Sequence, residues 1–262
     1  MSGGPVSVAE LQRAWRAVCA GDFAGTARPV TAAGGWAPGE PVLPVVGAAP
    51  GSGATTLALA LASAAAGPAR VVECASGAAG GLVAASTAEL GVVAGWVRGR
   101  RHTVLIDRAG AHLGPQTPPP DPPEPLVLSV LDAGTDPAHL VGEGWIAATI
   151  ATAPTVVVST VATVPGLRRL EARLAGGVPA ERVVVGVLGP RRRRWPRPVQ
   201  HALGPLSRRV DDAARLIVIP TDPGLHARGV DATELPSVLV RAASEVLRLS
   251  ACGQPPVDIE GS

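Results

Sequence analysis

Seven short apolar runs between residues 42 and 219 constrain the fold of this 262-residue chain more than any other feature. Valine dominates them, and they lack the polar alternation of a half-exposed strand, which predicts strands covered on both faces. Longer stretches rich in alanine, leucine and arginine separate the runs, an order typical of βαβ units. The predicted strands are residues 42–46, 71–74, 104–106, 126–131, 156–159, 183–187 and 216–219.

The stretches between and after these runs predict the helices and the domain limits. Predicted helices cover residues 55–66, 137–151, 164–175, 198–209 and 235–249. We therefore expect a three-layer α/β domain with a mostly parallel sheet over residues 42–250, and a flexible tail at 251–262. We expect residues 1–41 to form a helical N-terminal extension, with a helix at 7–19 that carries Trp15 and then a linker rich in glycine and proline.

Seven prolines between residues 115 and 125 interrupt the alternation of strands and helices. Proline lacks a backbone N–H and fixes φ, so this segment can be neither a helix nor an inner strand. We predict an extended surface loop. A spacer is the favoured interpretation and a polyproline docking motif is the alternative, because no basic flank or repeat accompanies the prolines.

The complete absence of lysine excludes several classes of chemistry. All 23 basic residues are arginine, against 21 acids, so Schiff-base enzymes and lysine general bases are ruled out. The three cysteines, Cys19, Cys74 and Cys252, form no CxxC pair or disulfide framework, which favours a reducing compartment. The sequence has neither the pattern of a signal peptide nor an apolar run of about 18 residues. It therefore predicts a cytoplasmic protein without a transmembrane segment.

A glycine-rich loop between the first predicted strand and the first predicted helix is the strongest local motif. Residues 47–56 read Gly-Ala-Ala-Pro-Gly-Ser-Gly-Ala-Thr-Thr. In such a strand–loop–helix context, glycines let backbone N–H groups turn inward, and the helix N-terminus adds a partial positive charge. The loop therefore predicts an anion cradle, in which Thr55 occupies the position of the hydroxyl that binds Mg²⁺ in a P-loop.

This loop resembles the deviant Walker A motif of the ParA/MinD family of partition and positioning ATPases, Lys-Gly-Gly-x-Gly-Lys-Thr-Thr. Ala49 and Ala54 replace the two lysines, and Pro50 replaces the first glycine. Later segments resemble the family's strands and loops in the same order up to residue 249, with Glu73 near the usual acidic position. The resemblance implies a P-loop NTPase-like fold, ATP with Mg²⁺ as cofactor, and a homodimer. The matching motif positions are Gly51, Gly53, Thr55 and Thr56.

Two aspartates follow apolar runs and compete for the role of the family's switch aspartate. We favour Asp132, because the family places its next strand about twenty residues later and Thr155 fits that spacing; Asp107 is the alternative. With Asp132 chosen, the run at 104–106 becomes an inserted strand. Thr55 and Asp132 would hold Mg²⁺ if a nucleotide binds. The candidate nucleotide-binding residues are Gly51, Gly53, Ala54, Thr55, Thr56 and Asp132.

A cluster of arginines lies between Glu181 and Asp211, an interval that contains eight arginines and no acid. Its densest part follows the predicted strand 183–187 and adjoins Trp195, so it lies on a loop at one end of the sheet. Guanidinium groups pair with phosphates and carboxylates, so the cluster indicates DNA or an acidic protein as partner. The alternative is a basic loop that is merely solvated and binds nothing. The candidate anion-binding residues are Arg191, Arg192, Arg193, Arg194 and Arg197.

The missing lysines weigh against an active ATPase. The Walker lysine is the main cation at the β/γ-phosphates, so its loss disfavours phosphoryl transfer. We expect a degenerate ParA/MinD-like adaptor or regulator in DNA partition, conjugative transfer or assembly positioning, without efficient hydrolysis. The alternatives are a weak but genuine ATPase of the family, and a nonspecific nucleic-acid-binding module that uses the arginine loop.

Overall fold

The computed structural model describes residues 36–75, 80–110, 117–135, 144–176 and 178–250. The predicted helix at 7–19, with Trp15, and the predicted tail at 251–262 lie outside these ranges, as do the first residues of the predicted helix 137–151. Within the described residues, every helix and strand falls between Val42 and Leu249.

Nine strands of the described residues form one sheet, in the order β3-β4-β5-β2-β6-β1-β7-β8-β9. The seven strands from β5 to β9 are parallel, and β4 and β3 add an antiparallel hairpin at one edge. This mostly parallel sheet confirms the predicted fold class. The strands are β1 (Val42–Gly47), β2 (Ala69–Glu73), β3 (Ala88–Val93), β4 (Trp96–Arg101), β5 (Val104–Ala109), β6 (Leu128–Asp132), β7 (Val156–Val161), β8 (Val183–Gly189) and β9 (Leu216–Pro220).

Helices cover both faces of the sheet. On one face, Leu57 and Leu61 pack with Val246 over the central strands. On the other, Leu167 and Trp195 belong to a second apolar cluster, and a third gathers around three tryptophans near the edge of the sheet. The helices are α1 (Ala54–Ser63), α2 (Trp145–Thr152), α3 (Val164–Ala175), α4 (Arg197–Gln200), α5 (Pro205–Asp212), α6 (Pro223–Arg228) and α7 (Ser237–Leu249).

All seven predicted strands are present, each with limits that differ by a few residues. The prediction of one helix over 198–209 is wrong, because the chain forms α4 and α5 with an extended Gly204 between them. Pro205 explains the break, since a residue before proline is driven from the helical to the extended region.

The sequence-based prediction also missed the hairpin of β3 and β4. Its two-residue turn uses Ala94 (φ 50°) and Gly95 (φ 83°), the left-handed pair that a type I′ turn requires. The run predicted as an inserted strand is β5, which joins this hairpin to the parallel sheet.

Candidate functional site

The glycine loop connects the end of β1 to the start of α1 and adopts the conformation that its glycines allow. Gly51 (φ 74°) and Gly53 (φ 78°) are both left-handed. A Cβ at Gly53 would lie 2.2 Å from the Cδ2 atom of Leu188 on β8, so only glycine fits there. Gly53 precedes α1, and no side chain caps the helix. The N–H groups of the first turn therefore have no side-chain cap at the carboxyl ends of the strands, where a helix N-terminus can attract an anion.

The cationic part of a P-loop is missing from this loop. Ala54 is buried in the first turn of α1 and ends at its methyl group. Pro50 has no N–H to offer an anion, and the N–H of Ser52 donates to the carbonyl of Ala49 at 3.1 Å. The loop can thus supply helix-terminal N–H groups to an anion, but its own residues supply no positive side chain.

Hydrogen bonds to the neighbouring strands hold the glycine loop in place. The Oγ atoms of Ser52 and Ser159 are 3.1 Å apart, and both residues are buried. The Ala48 N–H donates to the Ser159 carbonyl at 2.8 Å, while the Gly47 N–H donates to Gly134 at 2.7 Å. These bonds tie the start of the loop to the ends of β7 and β6.

Asp132 lies at the carboxyl end of β6, beside the strand that leads into the glycine loop. Its register partners are Val45 on β1 and Glu73 on β2. Its Oδ1 accepts the Gly134 N–H at 3.2 Å, and Gly134 in turn contacts the root of the loop. The topology therefore brings Asp132 and the glycine loop to one end of the sheet.

Glu73, at the end of β2, is the second acid at this end of the sheet. Its Oε1 accepts the N–H groups of Gly81 (2.6 Å) and Leu82 (3.1 Å). Burial, with the charge of Asp132 as a smaller cause, raises the pKa of Glu73 from 4.5 to about 7 despite these hydrogen bonds. The bonds hold Gly81 beside Thr55, since a Cβ at Gly81 would be 3.1 Å from the Thr55 Cγ2.

The two threonines of the motif lie in the first turn of α1 and are both half-buried. Thr55 faces the Gly81 segment, so it belongs to the same end of the sheet as Glu73. The glycine loop, both threonines, Glu73 and Asp132 are therefore neighbours in the fold. Within the described ranges, no group of three or more His, Cys, Asp or Glu side chains forms a metal cluster.

Asp107, the alternative switch aspartate, has a different position. It lies inside β5, which β2 and β6 separate from β1. Its carboxylate binds the guanidinium of Arg98 at 2.7 and 3.0 Å and lies 3.6 Å from that of Arg70. All three side chains are buried, so Asp107 is the centre of an ion-pair network.

This network also binds the described part of the proline-rich segment. Arg70 and Arg98 both donate to the carbonyl of Pro120, at 2.9 and 3.0 Å, and Arg98 donates to that of Asp121. Glu40 pairs with Arg70 at 2.7 Å from the other side. Residues 117–125 form neither a helix nor a strand, as predicted, and Pro120 and Asp121 bind to the domain's own arginines.

The arginine loop follows β8 and lies at the same end of the sheet as the glycine loop. Arg192 forms two 2.5 Å bonds with the carboxylate of Asp211 on α5, and its guanidinium lies 5.2 Å from the centre of the Trp195 ring. Trp195 is buried and donates to the Pro190 carbonyl. The other exposed arginines of this loop are Arg191, Arg193, Arg194 and Arg197.

Acids near this loop already have partners. Asp211 binds Arg192, and the carboxylate of Glu171 accepts the N–H groups of Leu206 and Ser207 at the start of α5. Those bonds lower the pKa of Glu171 against the opposing effect of burial. The sequence revealed the basic cluster, but it did not reveal that Arg192 is paired with Asp211.

Comparisons with known proteins agree with this architecture. No protein-family model matches the sequence, and no curated protein matches it significantly. Among solved structures, a protein assigned to plasmid partition from Borrelia burgdorferi B31, with AMPPNP bound, superposes with a TM-score of 0.53 at 9% identity, covering 80% of this chain and 97% of its own. Apo McdA from Cyanothece gives 0.53 at 12% identity, with coverages of 81% and 99%.

A chain of the MinC:MinD cell division complex from Aquifex aeolicus gives a TM-score of 0.50 at 14% identity, covering 84% of this chain and all of that one. At such identities the likeness establishes the fold. No helix of the described ranges is both long and apolar enough to cross a membrane. The order of the strands, the position of the glycine loop and these superpositions together show that the chain has the ParA/MinD-type P-loop ATPase fold.

Proposed function

We propose that this protein is a degenerate member of the ParA/MinD family that acts as an adaptor or regulator in DNA partition, conjugative transfer or assembly positioning, in the cytoplasm and without efficient ATP hydrolysis. The fold supports the general role. The observation that carries the proposal is the glycine loop. It keeps its left-handed glycines, but Ala54 stands in place of the motif's lysine and Pro50, which has no N–H, in place of its first glycine.

The energetics favour weak binding over turnover. A P-loop lysine stabilises charge that develops on the transferred phosphoryl group, and electrostatic stabilisation is usually the largest catalytic contribution. The backbone N–H groups at the N-terminus of α1 can attract a bound anion. They do not replace the lysine's stabilisation of the transferred phosphoryl group. Glu73 and Asp132 add negative charge to the same end of the sheet, which opposes a triphosphate unless Mg²⁺ accompanies it.

Titration with a fluorescent ATP analogue and Mg²⁺ tests nucleotide binding. We expect saturable but weak binding that the Ala54→Lys variant tightens, because the new ammonium would lie at the loop. Val238→Lys is the matched control, since it adds the same charge at an exposed position of α7. Binding to the wild type as tight as to Ala54→Lys would contradict the importance of the missing lysine and favour the weak-ATPase alternative.

Nonspecific binding of nucleic acid is a second candidate function, and the exposed arginines support it. Four phosphate contacts from Arg191, Arg193, Arg194 and Arg197 would give a slope of log K against log salt of about −4, at roughly −0.9 per contact. Replacing these four by alanine should flatten the slope with little change in thermal stability. Arg241→Ala together with Arg248→Ala on α7 provides a control with charges removed elsewhere.

Failure of the wild type to bind duplex DNA at low salt would refute this second function. An acidic protein partner would then be the better explanation of the cluster. The two functions are separable, because the glycine-loop variants leave the arginine loop unchanged.

A further inference from the structure

The outermost strand, β3, differs from every other strand of the sheet because all six of its residues are exposed. The neighbouring strand β4 is buried or half-buried throughout, and the remaining strands lie beneath helices. Four of the six exposed large apolar side chains in the described ranges occur between residues 83 and 93. They are Val83 (61% exposed), Leu90 (46%), Val92 (71%) and Val93 (40%).

The open edge of β3 presents backbone groups as well as apolar side chains. Val93 and Trp96 flank the two-residue turn at Ala94 and Gly95. In a hairpin of this type the flanking residues form a hydrogen-bonded pair across the two strands. Successive residues of a strand direct their backbone groups to opposite sides. The N–H and carbonyl of Val92, opposite Val97, therefore point away from β4 toward the open edge.

This edge carries few of the features that keep strand edges apart. Natural edge strands are blocked by lysine, proline or inward-pointing charge, and β3 has no basic residue and no proline. Its single charge, Glu89, is paired with Arg108 of β5 at 2.6 Å. A bulge between Glu89 and Gly91 bends the strand and divides its pairing with β4 into residues 88–89 and residues 91–93.

We propose that β3 is a self-association surface, on which the occupant is the β3 strand of a second copy of this chain. Because the one charge of β3, Glu89, is paired within the chain, two β3 strands can approach each other without charge repulsion. A two-fold axis at Val92 would let the two Val92 residues exchange a pair of N–H···O=C bonds. Leu90, two residues from Val92 on the same strand, adds exposed apolar area beside the axis. A charged peptide would find no counter-charge on β3, because Glu89 is already neutralised.

The bulge limits the number of backbone bonds, so the dimer is weak and depends on concentration. It needs no nucleotide, since β3 is the edge strand opposite β9 and four strands separate it from β1. This distinguishes it from a dimer that forms across the glycine loop. The proposal is therefore independent of the proposed function, and either can fail alone.

Sedimentation velocity over a concentration series, without nucleotide, tests the proposal. We expect the wild type to shift from the 26.2 kDa monomer toward twice that mass, and Val92→Lys to raise the dissociation constant at least tenfold. Val238→Lys, at a similarly exposed valine on α7, should dimerise like the wild type. A wild type that stays monomeric at the highest concentration reached, or a Val92→Lys variant that dimerises equally well, overturns the proposal.

Mild oxidation of a Val92→Cys variant tests the geometry. A two-fold axis at this position brings the two thiols within disulfide distance, so a covalent dimer should form faster than in the wild type or in Val238→Cys. Equal rates in all three proteins would show that β3 is not the interface. Because Val92 is exposed, the thermal midpoints of these variants should stay close to that of the wild type.

Discussion

Replacing Glu73 by glutamine should stabilise the protein at neutral and alkaline pH. Glutamine has the same shape, and its Oε1 can accept the N–H groups of Gly81 and Leu82 in place of the carboxylate. The substitution removes a buried charge that lies next to Asp132. It therefore removes the cost of ionising Glu73 while it retains the contacts that hold the Gly81 segment beside Thr55.

The size and sign of the effect follow from the pKa. In the folded protein the pKa of Glu73 is about 7, against 4.5 for the free side chain. Between these values the folded state binds more protons than the unfolded state, so stability falls as pH rises through this window. The full loss, present above pH 7, corresponds to about 3 kcal/mol for the difference of the two pKa values. Glu73→Gln should recover most of it at pH 8 and almost none at pH 4.5.

Denaturant and thermal unfolding, followed by circular dichroism at pH 5 and pH 8, measure this difference as a free energy and as a melting temperature. At pH 8 the melting temperature of Glu73→Gln should exceed that of the wild type by roughly 6–12 °C, at 2–4 °C per kcal/mol for a domain of this size. Glu245→Gln, at an exposed acid on α7, is the control and should change stability by less than about 0.5 kcal/mol. If Glu73→Gln is no more stable than the wild type at pH 8, the carboxylate is not destabilised by burial.

Three further substitutions test the fold around the site. Asp107→Ala should destabilise the protein by about 3–5 kcal/mol in denaturant unfolding, because it leaves Arg98 as an uncompensated buried charge; a loss below 1 kcal/mol would contradict the network. Gly53→Ala should lower the melting temperature through its positive φ and its clash with Leu188, whereas an unchanged melting temperature would mean that the loop can relax. Glu171→Ala should cost about 1 kcal/mol, as for the loss of a helix cap, and hydrogen exchange at the start of α5 should rise only in this variant.

The sequence predicted the parallel part of the sheet well because its strands are buried on both faces and read as continuous valine runs. It also located the glycine loop and placed Asp132 at the end of a strand. The hairpin of β3 and β4 escaped prediction, since β3 is exposed and its turn, Ala94-Gly95, lacks the usual Asn-Gly or Asp-Gly signal. Local sequence pattern predicts strands through runs of buried residues and through characteristic turn residues. An exposed edge strand such as β3 has few buried residues, and its turn lacks the usual residues.

The candidate site was predictable only in part for a related reason. The family resemblance put Glu73 near an acidic position, but its raised pKa depends on burial and on Asp132, which is 59 residues away in the chain. The sequence left Asp107 open as the alternative to Asp132, because strand order, which puts β6 rather than β5 beside β1, cannot be read from local pattern. The pairing of Arg192 with Asp211 likewise required the packing of α5 against the loop.

Phosphate release from Mg²⁺-ATP by the purified protein, with and without duplex DNA, tests the central claim most directly. We expect the rate of the wild type to equal that of Thr55→Ala and of buffer, because no cation stands at the β/γ-phosphate position in the glycine loop. Steady release by the wild type that Thr55→Ala abolishes would show that this loop hydrolyses ATP without its lysine, and would contradict the proposed function.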